Sequence, residues 1–287
     1  MSELALQQLL NGVVVGLGYA LVAVGLSVML RVLDAVNFAH GEMYVIAGLV
    51  TFTATRVWDV PYVVAGAVGV AVAALGGLAL ALLLRKVLRQ DPFNVLLATF
   101  GVGLVISHLA NLALVGRARS VDSPFGGLIE IGGVQLTGQR IVLAVVSVVA
   151  LTGVHLLVSR SAIGRQMRAV AENHAGAEVL GVDLQRVAAV VFVLATAMAG
   201  LAGVLLAPIV GVSALAGINV VIKAFVVVIL GGIGSVAGAA VGGVALGVVE
   251  SLGSTYLGSE WTNGFGFLLL IAVLLLRPQG LLTPRRT

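Results

Sequence analysis

Hydrophobic positions in this chain run in long blocks, with short polar breaks between them. Taking about 20 apolar residues as one membrane span, the blocks predict helical segments at Leu9–Leu30, Tyr44–Val57, Val60–Leu84, Val95–Val115 and Ile141–Val158. Others follow at Val187–Val210, Val220–Leu230, Val236–Val249 and Phe265–Leu276. The seventh and last are marginal in length, so eight or nine segments are expected. The second is also short unless Phe38–Met43 dips into the membrane with it. The pattern predicts an all-α fold, one transmembrane helical bundle over residues 1–287.

Composition narrows the class. The 287 residues are 60% hydrophobic and 10% charged, with a mean hydropathy of +1.16, whereas soluble chains are about half apolar and a quarter charged. Glycine (38) far exceeds proline (6), as expected where membrane helices pack closely. The absence of cysteine rules out disulfides and thiolate metal sites. Met1–Gln8 lacks a basic region and the first apolar block is long enough to span, so no cleaved leader is expected. Lys and Arg bias sets orientation. With nine spans and the N-terminus outside, Arg31, Arg85, Lys86, Arg89, Arg160, Arg165, Arg168, Arg186, Arg277, Arg285 and Arg286 fall on the cytoplasmic side. Only Arg56, Arg117, Arg119 and Arg140 fall outside.

Two loops stand out. Residues 116–139 form an external turn with a small hairpin in the alternation around Leu128–Val134. Residues 159–186 are cytoplasmic. There Met167, Val170, Ala171 and Ala175 recur at helical spacing, with Arg165, Arg168 and Glu172 left to water. Gly181 can end this helix and Asp183 can cap the next. Such a helix lies on lipid or docks a cytoplasmic partner.

Polar residues inside apolar blocks are costly and face protein or water. Asn37-Phe38-Ala39-His40-Gly41-Glu42-Met43 is the densest such group. In one reading Asn37 caps the second helix while His40 and Glu42 face water. In another, a partly inserted segment forms part of a gate, subunit interface or translocation path. A proton relay through His40 and Glu42 is a third. Two side chains are too few for a metal site. Gly231, Gly232 and Gly234, followed by Ser235, predict a helix break serving as hinge, gate or substrate contact. Gly12 with Gly16, Gly234 with Gly238 and Gly242, and Gly243 with Gly247 stand at four-residue spacing, which favours close helix packing. Lys223 is expected to snorkel to the external interface, with a pathway role as the rival. Glu250 is expected at a solvated outer helix end. His108 and Asn111, three apart on the fourth segment, are read as sharing a face and making an interhelical hydrogen bond, His155 as interfacial, and Asn11 as a cap or interhelical partner.

Five patches, in order, resemble the permease subunits of branched-chain amino acid ABC importers. They are Asn11-Gly12 leading to Tyr19-Ala20-Leu21, residues 37–44, the loop from Gly164 to Asp183, residues 231–239 and Arg277-Pro278-Gln279-Gly280-Leu281. The likeness is closer to the shorter of the two permease subunits. Urea and short-amide permeases are close relatives. The resemblance implies a bacterial inner-membrane, multi-pass permease without catalysis of its own. Its partners would be cytoplasmic ATPase subunits, a homologous second permease and an external or periplasmic substrate-binding protein. No cofactor is expected in this chain, with ATP and Mg held by the partner ATPases. No Gly-x-x-x-x-Gly-Lys-Ser/Thr phosphate loop occurs here, which also suits an ion-coupled secondary transporter. The resemblance further implies an ATPase-coupling loop carrying Gly164, Arg165, Arg168, Glu172, Ala175, Gly176, Ala177, Glu178 and Gly181. The family's Glu-Ala-Ala, three residues, Gly pattern here reads Ala175-Gly176-Ala177 and then Gly181, without its glutamate.

Overall fold

The computed structural model describes residues 2–87, 92–131, 134–258, 262–277 and 280–281. Each apolar block becomes a helix: α1 (Ser2–Leu33), α2 (His40–Val57), α3 (Tyr62–Leu84), α4 (Pro92–Ala113) and α5 (Gly138–Arg160). After the short helices α6 (Ala162–Glu172) and α7 (His174–Val179) come α8 (Leu184–Val210), α9 (Ala216–Gly231), α10 (Val236–Leu257) and α11 (Thr262–Leu276). Six of them, α1, α3, α4, α5, α8 and α10, are long and apolar enough to cross a membrane. The protein is therefore a multi-pass helical bundle. The expected eight or nine spans are not all of full length: α9 and α11 have 16 and 15 residues, about 24 and 22 Å against a hydrocarbon core of about 30 Å.

The bundle is built around α1 and α8, whose inner stretches (Ala20–Met29 and Ala195–Ala207) are almost wholly buried. Glycine decides how near the neighbours come. A Cβ at Gly12 would meet Val248 Cα at 2.6 Å, and one at Gly16 would meet Val244 Cα at 2.7 Å. From the other side, a Cβ at Gly243 would meet the Gly16 carbonyl at 2.7 Å. Two of the glycine pairs read from sequence thus face one another across the α1–α10 seam, and backbone touches backbone. By contrast α3, α4 and α5 bury only a minor part of their apolar windows. Val64, Leu75, Leu104 and Val149 on them are exposed, as lipid-facing positions are.

Both ends of the bundle are tied. Pro208 lies in α8 and has no N–H for the carbonyl of Val204. The Tyr62 hydroxyl of α3 donates to that carbonyl at 2.9 Å. Gln139 at the start of α5 donates to Tyr62 Oη (3.1 Å) and to the Leu205 carbonyl (2.8 Å). The expected hairpin exists as β1 (Leu128–Ile131) and β2 (Val134–Thr137), antiparallel, with Leu128 opposite Thr137. Arg56 and Asp122 pair at 2.8 Å on this side. Asn11 of α1 accepts from Arg140 of α5, the interhelical role expected of it. At the opposite end Leu33, Arg85, Val170, His174 and Leu184 line one pocket of about 100 Å³. That gathers the ends of α1 and α3, the 162–179 helices and the start of α8. Arg89, Arg285 and Arg286, used for orientation, lie outside the described residues, as do Pro278 and Gln279 of the last patch.

Candidate functional site

The segment 34–39 turns back into the bundle before α2 begins. A Cβ at Gly25 would meet both Ala195 Cα and His40 Cε1 at 3.0 Å. Gly25 is eight residues from the end of α1, and Ala195 eleven from the start of α8. At 1.5 Å per residue, α2 therefore starts about 12–16 Å inside the bundle. Non-helical backbone at that depth is tolerated where protein or a cavity covers it. Here the Phe38 N–H donates to Thr99 Oγ1 of α4 at 3.2 Å, and the Phe38 ring packs against Phe100 and Phe225.

The polar cluster is buried, so the expectation that His40 and Glu42 face water is overturned. Asn37 and His40 are fully buried and Glu42 is 5% exposed. Asn37 does not cap α2 either: the residue before the helix is Ala39, which makes no side-chain cap. His40 Nε2 lies 3.0 Å from the Val22 carbonyl. Both amide atoms of Asn37, His40 Nδ1 and Glu42 Oε2 are buried without a hydrogen-bond partner among the described residues. A Cβ at Gly217, at the start of α9, would meet the Glu42 carboxyl carbon at 2.6 Å, and Gly41 touches Gly217 in the same place.

The glycine-rich break falls where it was expected. α9 ends at Gly231 and α10 begins at Val236, capped by Ser235 Oγ accepting from the Gly238 N–H at 2.9 Å. Gly232 and Gly234 have φ of 95° and 83°, which side chains with a Cβ rarely adopt. Gly234 donates to Ser27 Oγ at 2.9 Å, and its carbonyl accepts from Arg31 at 2.8 Å. The structure does not bring this break to the 37–42 cluster. Gly41 and Glu42 meet the start of α9 at Gly217 and Phe38 meets its middle at Phe225, while both features lean on one stretch of α1, His40 against Val22 and Gly25 and Gly234 against Ser27.

The 159–186 loop holds two helices rather than the single one expected. Asn173 divides them: it ends α6, and its Oδ1 accepts from the Gly176 N–H at 2.9 Å to start α7. An asparagine here satisfies amides that a continued helix would not leave open. Ser161 caps α6 through Gly164, and Asp183 caps α8 through Gln185 and Arg186, as expected of it. Gly164, Met167, Val170 and Ala177 are buried. Arg168 bonds the Val158 carbonyl. Arg165, Glu172, Ala175 and Glu178 are exposed and Gly176 is half-buried. Gly181, at φ 83°, closes α7, and beside it Val179 and Leu180 are 87% and 83% exposed.

Two assignments made from sequence are corrected. Lys223 does not snorkel and Glu250 is not solvated. Lys223 Nζ lies 2.7 Å from Glu250 Oε2, with the side chains 17% and 6% exposed. Tyr19 completes the group, its hydroxyl 3.0 Å from both Lys223 Nζ and Glu250 Oε2. Opposite charges in two apolar helices were a signal for such a pair; Tyr19 carried none. His108, Asn111 and His155 are exposed, and neither the His108 nor the Asn111 side chain bonds another helix among the described residues, so the interhelical bond expected there is not found.

The structure is thus a multi-pass membrane bundle with a buried polar segment at the start of α2 and a helical loop at one end. Over residues 8–274 the sequence matches the family described as branched-chain amino acid transport system / permease component, and the chain belongs to that family. It is 34% identical to the high-affinity branched-chain amino acid transport system permease protein LivH of Escherichia coli, over 96% of this chain and 95% of that one. The corresponding permease protein BraD of Pseudomonas aeruginosa is 33% identical over the same shares. A probable LivH of Methanocaldococcus jannaschii is 28% identical over 91% and 87%.

Proposed function

We propose that this chain is the permease subunit of an ATP-driven importer of branched-chain amino acids, seated in the bacterial inner membrane. A second permease would complete the path, an external binding protein would deliver substrate, and cytoplasmic ATPases would supply energy. Beyond the relatives' names, the observation that carries the reading is the α6–α7 loop. Its apolar side is buried against the bundle, yet Val179 and Leu180 stand out in solvent beside Gly181. Leaving two large apolar side chains exposed on a polar loop is unfavourable unless a partner covers them. An ATPase groove is that partner, with small Ala175 and Gly176 allowing close approach. The Asn37–Glu42 segment and the Gly231–Ser235 break act as path and gate elements.

Proteoliposomes holding the chain with its second permease and ATPases, supplied with binding protein, test this directly. Leucine, isoleucine and valine uptake should require ATP and both partners. Uptake by this chain alone, driven by a proton or sodium gradient, would sink the reading in favour of a secondary transporter. ATP-dependent uptake of urea or short amides in place of leucine would move the substrate to that branch.

A further inference from the structure

The permease reading leaves the Lys223–Glu250–Tyr19 group without a role, although it is the most strongly charged feature inside the bundle. It sits on a pocket of about 90 Å³ lined by Asn219, Ile222, Lys223 and Val226 of α9, Leu246 and Glu250 of α10, and Gly266 and Phe267 of α11. One water needs only about 10–15 Å³ of such space, so the pocket has room for several.

The hydrogen bonds within the group are incomplete in a directed way. Glu250 Oε2 takes both Lys223 and Tyr19. Oε1 is buried without a partner among the described residues, and a Cβ at Gly266 of α11, were it present, would stand 3.7 Å from it. The absent side chain leaves room beside that oxygen. Lys223 directs two of its three N–H donors to Glu250 and Tyr19, and its side chain is the more exposed of the pair. The pocket thus offers a carboxylate oxygen that needs a cation and an ammonium with a donor to spare, a few ångströms apart between apolar walls. A purely structural ion pair needs neither the open oxygen nor the pocket.

We propose that this pocket binds a zwitterionic amino acid with an apolar side chain. Glu250 Oε1 accepts from the ligand's ammonium, Lys223 Nζ donates to its carboxylate, and Ile222, Val226, Leu246 and Phe267 receive the side chain. Tyr19 holds Oε2, so that Oε1 keeps its direction. The inference rests on the permease reading and places a substrate-contacting site within it.

The chain has no cysteine, so Ile222→Cys gives it a single thiol on the pocket wall. In the full complex in nanodiscs, saturating leucine should slow maleimide modification at position 222 several-fold. Two leucine analogues, 4-methylpentanoate without the ammonium and isoamylamine without the carboxylate, should leave the rate unchanged. Adding Glu250→Gln should remove the leucine effect. Equal modification rates with and without leucine, in a complex whose unmodified form imports leucine, overturn the site and leave the permease reading standing. Equal protection by all three ligands also overturns it, because charge would then not be read. If Glu250→Gln prevents assembly, the three-ligand comparison on Ile222→Cys alone decides. A complex that imports no branched-chain amino acid removes the permease reading and this site with it.

Discussion

At the scale of single residues, the bundle is sensitive wherever a polar group has been withdrawn from water for one partner. Removing one member of a buried ion pair leaves the other charge stranded, a loss of about 3–5 kcal/mol, whereas replacing both with apolar residues is far milder. Glu250→Leu should therefore lower the melting temperature of the purified complex strongly, and Lys223→Met with Glu250→Leu much less. A double variant as unstable as the sum of the singles would show that the two side chains are not coupled. Tyr62→Phe is a different case. It strips the donor that replaces the amide missing at Pro208 and leaves the Val204 carbonyl buried and unpaired, at a cost of about 1–3 kcal/mol. Thermal unfolding of that variant should shift downward, with uptake per folded molecule little changed.

Among elements, the seam between α1 and α10 is the most demanding. Gly16→Val or Gly243→Val would push a branched side chain into opposing backbone already at contact distance. Overpacking of this kind costs about 1–3 kcal/mol or more. Membrane yield and melting temperature should fall for both, while Gly101→Val, with nothing within 4 Å of its Cβ, should be neutral. The glycine spacing and the apolar blocks were legible because helix packing and membrane insertion are written in local periodicity. Of the caps, those at Ser161 and Ser235 emerge only in the structure, whereas that at Asp183 was legible from its place after Gly181. The division at Asn173 was not, since Met167, Val170 and Ala175 keep a helical period across it. Nor was the depth of α2 fully readable: its short apolar run hinted at insertion, but the burial of His40 and Glu42 depends on α1, α4 and α9, which are distant in sequence. The Lys223–Glu250 pair is hidden for a related reason: each charge alone suits a helix end near water, and only the packing of α9 on α10 brings the two together.

For the whole molecule, the structure separates two ends with different chemistry, and this difference predicts its sidedness. One end gathers the termini of α1 and α3, the start of α8 and the α6–α7 loop; the other carries the β-hairpin and the Arg56–Asp122 pair. The first end holds Arg31, Arg85, Arg160, Arg165, Arg168 and Arg186, and an excess of Arg in short loops faces the cytoplasm. Because the chain lacks cysteine, Asp122→Cys and Val179→Cys each introduce one exposed thiol, at opposite ends. In intact cells an impermeant maleimide should modify the Asp122→Cys protein at once and the Val179→Cys protein only after permeabilisation. In inverted vesicles the order should reverse. Adding the ATPase partners to those vesicles should then suppress modification at position 179 and leave a control thiol at Arg160→Cys, at the exposed end of α5, largely unaffected. Modification at 179 from outside intact cells would invert the topology and remove the ATPase from the only face where it can reach this loop. Unchanged modification with ATPases bound would leave the topology standing but place the coupling contact elsewhere in the chain.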